Sequence, residues 1–110
     1  MNRVSATIAI SGSLSGEVHL NGDALVGIEM PAAWTAAELT FQTSFDSVTY
    51  QDLYDEFGME VTVQAAASRN IQMNPAEWTH VKYLKVRSGT SGTPVAQAAG
   101  RVIYLLAREV

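Results

Sequence analysis

Arg3-Val4-Ser5-Ala6-Thr7-Ile8-Ala9-Ile10 alternates with a period of two, so that Val4, Ala6, Ile8 and Ile10 share one face and Arg3, Ser5 and Thr7 take the other. A run of that kind is a strand with one buried face. The same pattern recurs along the chain between turn residues. Ser11-Gly12-Ser13 turns the chain, residues 14–20 form a second predicted strand, and Asn21-Gly22-Asp23 tolerates the positive φ that a tight turn needs. A third strand over residues 25–30 stops at Pro31, and Leu39, Phe41, Thr43 and Phe45 then alternate against Thr40, Gln42 and Ser44 up to Asp46-Ser47.

Residues 50–54 read as a short strand, Glu56-Phe57-Gly58 as a turn, and residues 60–65 as another strand with Val61, Val63 and Ala65 inward, followed by 69–73. Leu84 and Val86 point inward against Tyr83, Lys85 and Arg87, and a loop over residues 88–94 leads to a closing strand over 101–108. The run Val102-Ile103-Tyr104-Leu105-Leu106-Ala107 does not alternate in polarity, which predicts a strand covered on both faces, either central or meeting a partner. Helical signal is confined to single turns at residues 32–38 and 75–79. About eight or nine short strands so closely spaced predict an all-β, single-domain antiparallel β-sandwich over residues 1–110, jelly-roll-like in arrangement.

An internal echo supports that architecture. Ile28-Glu29-Met30-Pro31-Ala32-Ala33-Trp34-Thr35 matches Ile71-Gln72-Met73-Asn74-Pro75-Ala76-Glu77-Trp78-Thr79 apart from one inserted residue, and each copy leads into an alternating strand. The two are read as equivalent crossings in pseudo-symmetric halves, each with an indole that plugs the end of the sandwich.

The composition suits a folded domain: 110 residues, 47% hydrophobic and only 16% charged. So little charge implies surface covered by something else. Seven Lys and Arg are scattered and the net charge is −4, against the concentrated cationic footprint that nucleic acid requires. No cysteine is available for a disulfide or a thiolate zinc site. The N-terminus lacks the apolar core of a secretory signal, and no apolar run approaches the roughly 20 residues that span a bilayer. These features predict a soluble protein made in the cytoplasm, with no membrane or nucleic-acid partner.

Candidate chemistry is sparse. Asp46, Asp52, Asp55, Glu56 and Glu60 concentrate carboxylates, as glycoside hydrolysis or calcium binding would need, but they match no EF-hand spacing and read more simply as a solvated loop and strand edge. His19 and His80 are far apart, with no HExxH spacing and no cysteine to complete a metal set. Ser88-Gly89-Thr90-Ser91-Gly92-Thr93 lacks the GxxxxGK[ST] pattern and precedes a strand, so it is read as a flexible loop, free or ordered by a neighbouring subunit. Tyr50, Tyr54, Phe57 and Trp34 are candidates for a sugar-stacking platform, for core filling, or for a protein interface. No catalytic, cofactor-binding or metal residue is assigned, and no enzyme is expected.

Leu25-Val26-Gly27-Ile28-Glu29-Met30-Pro31-Ala32-Ala33-Trp34-Thr35, with Leu39-Thr40-Phe41-Gln42 and Tyr50-Gln51-Asp52-Leu53-Tyr54-Asp55, resembles small virion proteins of tailed bacteriophages. Val81-Lys82-Tyr83-Leu84-Lys85-Val86-Arg87-Ser88-Gly89-Thr90 and the closing strand carry the resemblance over nearly the whole chain. The resemblance implies a β-sandwich, often a homotrimer, in a head decoration (cement) protein, a head fibre or a tail tip. A chain with little beyond this one domain favours decoration: a protein on the outer capsid surface that binds the major capsid protein and stabilises the head without chemistry. The strand edges, the 88–94 loop and the terminal arms, residues 1–5 among them, are the expected contacts. The alternative is a carbohydrate-binding adhesion domain that uses an exposed aromatic and the loops of residues 46–55 to take a glycan.

Overall fold

The computed structural model describes residues 1–109, and the alternating segment that opens the chain forms its first strand, β1 (Asn2–Ile8). Ala6 and Ile8 are buried and Val4 packs against the same core. Ile10 does not continue that face and is 66% exposed. The chain has already turned, with the Gly12 N–H donating to the Ala9 carbonyl at 2.9 Å and Ser11 at φ 65°.

Seven more strands follow: β2 (Val18–His19), β3 (Ala24–Glu29), β4 (Leu39–Ser44), β5 (Gln51–Asp52), β6 (Asn70–Gln72), β7 (Tyr83–Ser88) and β8 (Arg101–Arg108). They form two four-stranded antiparallel sheets ordered β1-β8-β3-β6 and β2-β7-β4-β5. First pairs with eighth, second with seventh, third with sixth and fourth with fifth, as in one long hairpin whose tip is the β4–β5 loop. Rolling that hairpin brings β3 against β8 and β4 against β7, which is the strand order of a jelly roll. Between the sheets lies an apolar core that includes Ile8, Leu25, Ile28, Phe41, Leu84 and Leu105, all fully buried.

Three predicted strands are only partly realised, and in 50–54 only Gln51–Asp52 forms a strand. In 14–20 the Ser15 hydroxyl accepts the Val86 N–H at 2.9 Å, a bond that a strand carbonyl would otherwise take, so a single bridge from Leu14 to Arg87 precedes β2. In 60–65 only isolated bridges form, Tyr54 to Glu60 and Leu39 to Val63. Val63 is nevertheless buried, and Val61 and Ala65 pack on the core. Residues 32–38 form no helical turn, because both backbone groups of Thr35 are engaged by the Gln97 side chain at 2.9 and 3.0 Å. Pro75–Glu77 does form a 3-10 turn, capped by Asn74, whose side chain accepts the Ala76 N–H.

β8 is central in hydrogen bonding, between β1 and β3. Its faces are unequal, however. Ile103, Leu105 and Ala107 are buried, whereas Val102 is exposed and Tyr104 and Leu106 are half-covered, so the chain itself does not bury the second face. Arg3 lies over the Tyr104 ring, 3.5 Å from its centroid, and pairs with Glu29 at 2.8 Å.

The internal echo has a geometric counterpart. Ile28 stands opposite Ile71 in β3 and β6, and Gln42 opposite Lys85 in β4 and β7, with the same step along the chain relating each pair. The two indoles of the echo differ: Trp78 is 3% exposed and meets Phe41 edge-on at 4.9 Å, while Trp34 is half-buried and donates its Nε1 hydrogen to the Ala37 carbonyl.

Candidate interaction groove

Asp55-Glu56-Phe57-Gly58 turns as its composition requires. The Asp55 carboxylate accepts the N–H groups of Phe57 and Met59 at 2.9 and 3.0 Å, and Gly58 takes φ +82°, a conformation that strains residues with a Cβ. The Asp55 N–H donates to the Met59 carbonyl, and Tyr54 bridges Glu60, so residues 54–60 form a small hairpin beside the β2-β7-β4-β5 sheet. This bonded frame holds Phe57 84% exposed, with Met59 and Tyr54 also in solvent.

Between this hairpin and the 3-10 turn lies a groove of about 590 Å³. Its apolar lining comes from Leu53, Val63, Met73 and Trp78, and its mouth from Tyr54 and Phe57. Asp55, Glu56, Glu77 and His80 also line it, with no Lys or Arg among the lining residues. The β4–β5 loop extends the apolar surface, since exposed Phe45 lies 6.4 Å from the His80 ring and Val48 is exposed in the same loop. Exposed apolar area gathered in this way marks an interaction surface more often than a solvent face.

Of the four aromatics singled out in the sequence, Tyr54 and Phe57 meet at this groove and Tyr50 and Trp34 do not. Tyr50 donates its hydroxyl hydrogen to Glu17, and Lys85 Nζ lies 4.3 Å from its ring centroid. Desolvation, then the bond to Glu17, pushes the Tyr50 phenol up from its ordinary value. Glu17 is held below the usual carboxylate range by hydrogen bonds from Ser47 and Tyr50. His19 stacks on Tyr83 at 4.5 Å. No group of three or more His, Asp or Glu suited to a metal occurs among the described residues.

Asp46, Asp52, Asp55 and Glu56 are solvent-exposed, as a solvated loop and edge would have them, and all but Glu56 of the five carboxylates also hold local structure. Asp46 accepts N–H bonds from Thr49 and Val48 and a hydroxyl bond from Ser44, which together lower its carboxyl to about 2. Asp52 and Glu60 both pair with Arg87, Glu60 at 3.2 Å. Arg87, expected to point outward with Tyr83 and Lys85, is 6% exposed on that outer face and also donates to Thr40 Oγ1 at 3.3 Å. Nothing local in the sequence distinguishes it from Lys85, because both carboxylates reach it only through the fold.

The 88–94 segment is held by its own chain. Ser91 N–H donates to Glu60, Gly89 bridges Pro94, and a Cβ on Gly89 would lie 2.5 Å from the Thr93 carbonyl oxygen. Gln97, fully buried, ties Thr35, Ser88 and Arg101 together at the same end of the sandwich.

No protein-family model, curated protein or solved structure matches the chain. No helix among the described residues is long and apolar enough to cross a membrane.

Proposed function

We propose that this chain is a structural protein of a bacteriophage virion, a decoration protein that binds the outer surface of the major capsid protein as a homo-oligomer, with a trimer favoured. The observation that carries the reading is the set of large apolar side chains held in solvent around the groove: Tyr54 and Phe57 on its lining, Met59 in the same hairpin, and Phe45 beside His80. Burying such area favours a complex, and the turn has already fixed the hairpin's backbone, which lowers the ordering cost of association. The resemblance to small phage virion proteins and the jelly-roll strand order, an architecture common in capsid proteins, support the same reading.

The test is particle localisation. Virions from cells infected with a phage carrying this gene are analysed by mass spectrometry and cryo-EM. Many copies spread over the icosahedral shell are expected, whereas a few copies at the tail tip or one vertex would overturn a decoration role.

A glycan-binding adhesion domain is the second reading, favoured by Tyr54, Phe57, Asp55 and Glu56 lining one groove, where rings and carboxylates together suit a sugar. Glycan binding by the isolated chain that is lost in Phe57→Ala would select it.

A further inference from the structure

We infer that the groove between the 54–60 hairpin and the Pro75–Glu77 turn receives a polypeptide segment with large apolar side chains flanked by Lys or Arg. This rests on the reading of the chain as a protein-binding module and specifies the chemistry of its partner.

The floor selects the anchor. Leu53, Val63 and Trp78 are nearly buried in the core and form a mainly apolar floor, while Tyr54 and Phe57 line the mouth. A volume of about 590 Å³ lies within the range of sites that enclose a compact group of this kind.

The rim selects the flanks. Asp55, Glu56 and Glu77 put three carboxylates on the lining, and none of them forms an ion pair among the described residues. The cations that might offset them are committed elsewhere: Arg87 to Asp52 and Glu60, Lys82 to the face of Tyr83, and Lys85 to that of Tyr50. An anionic partner would therefore meet uncompensated like charge, and a neutral one would leave Glu56 and Glu77 without a counter-charge, Asp55 alone having its hairpin N–H donors. A cationic flank satisfies them and steers the encounter.

The test uses the full chain labelled with nitrogen-15 and three synthetic peptides. The first has a Leu-Phe pair flanked on both sides by Lys, the second replaces every Lys by Glu, and the third keeps Lys and replaces Leu-Phe by Ser-Ser. The Lys-flanked apolar peptide is expected to shift amides within residues 53–63 and 73–80, and to bind at least about tenfold more tightly than either control. The double variant E56K/E77K should reverse the order, taking the Glu-flanked peptide in preference. Both positions are exposed, and amide dispersion confirms that the variant is folded.

The inference is overturned if no peptide shifts these amides, if the Glu-flanked peptide binds the native chain equally well, or if a panel of neutral oligosaccharides shifts them and the Lys peptide does not. The two proposals fail separately. A chain spread over the capsid whose groove ignores the Lys peptide loses only the partner chemistry, and a chain absent from virions that binds the peptide loses only the decoration role.

Discussion

Replacing Arg87 by Met keeps a similar length of side chain and removes the cation that joins β7, β5 and the segment carrying Glu60. The Arg87 side chain is 7% exposed and its partners differ, Glu60 at 14% and Asp52 at 37%. Removing one member of a buried pair costs about 3–5 kcal/mol, because the remaining charge is left without compensation. Asp52 recovers most of its loss from water, and its pair counts as an exposed one at about 0–1 kcal/mol. Glu60 keeps the Ser91 N–H at 3.1 Å, which moderates its loss. The expected cost of Arg87→Met is therefore about 3 kcal/mol, a large share of the ~5–15 kcal/mol by which domains are stable. Urea unfolding followed by tryptophan fluorescence reads this as a lower midpoint at constant slope. Adding Glu60→Gln to the Arg87→Met variant removes the stranded charge and should restore about 1–2 kcal/mol, whereas the same change alone should destabilise. A cost below about 1 kcal/mol for Arg87→Met, or an equal effect of Glu60→Gln in both backgrounds, would refute the account.

The two indoles should separate. Trp78→Ala is expected to cost about 4–5 kcal/mol, since it empties a buried site and removes the edge contact with Phe41, against about 2 kcal/mol for half-buried Trp34→Ala. Equal midpoint shifts in urea would contradict this. Asp46 has a folded pKa below its unfolded value, so its contribution is full above about 4 and disappears as pH falls through about 2. Val48 and Thr49 amide shifts should titrate with a midpoint near 2 and lose that step in Asp46→Asn; a midpoint near 4 would show the bonds do not hold the carboxylate in solution. Deleting residues 1–5, an arm expected from the sequence to serve assembly more than folding, removes the rungs of Asn2, Arg3, Val4 and Ser5 against β8. It should cost at least about 2 kcal/mol of monomer stability. An unchanged melting temperature with lost assembly would restore the arm's role.

Strand positions were readable wherever burial alternates locally. Leu39 and Phe41, Leu84 and Val86, and Ala6 and Ile8 are buried as their spacing requires. Reading failed where a side chain replaced a backbone partner, as Ser15 does toward Val86 and Gln97 toward Thr35, because either bond depends on a segment distant in sequence. It also failed for Ile10, because β1 ends at Ile8, two residues before the apolar pattern does, and Ile10 falls in the turn that the Gly12 N–H closes onto Ala9. At the groove, the Glu56-Phe57-Gly58 turn was legible, but its neighbour across the gap was not.

The sequence by itself determined an all-β sandwich, the approximate order of its strands and the absence of cysteine chemistry. Alternation and turn residues act over a few positions, and an apolar face has to be buried wherever the chain places it. Tertiary structure decided which strands became neighbours, and through them everything that joins distant segments: Arg87 with Asp52 and Glu60, Gln97 with Thr35, and the hairpin of residues 54–60 with the turn that carries Trp78. Those contacts depend on the rolled pairing of two sheets, which brings together side chains whose proximity no local pattern encodes.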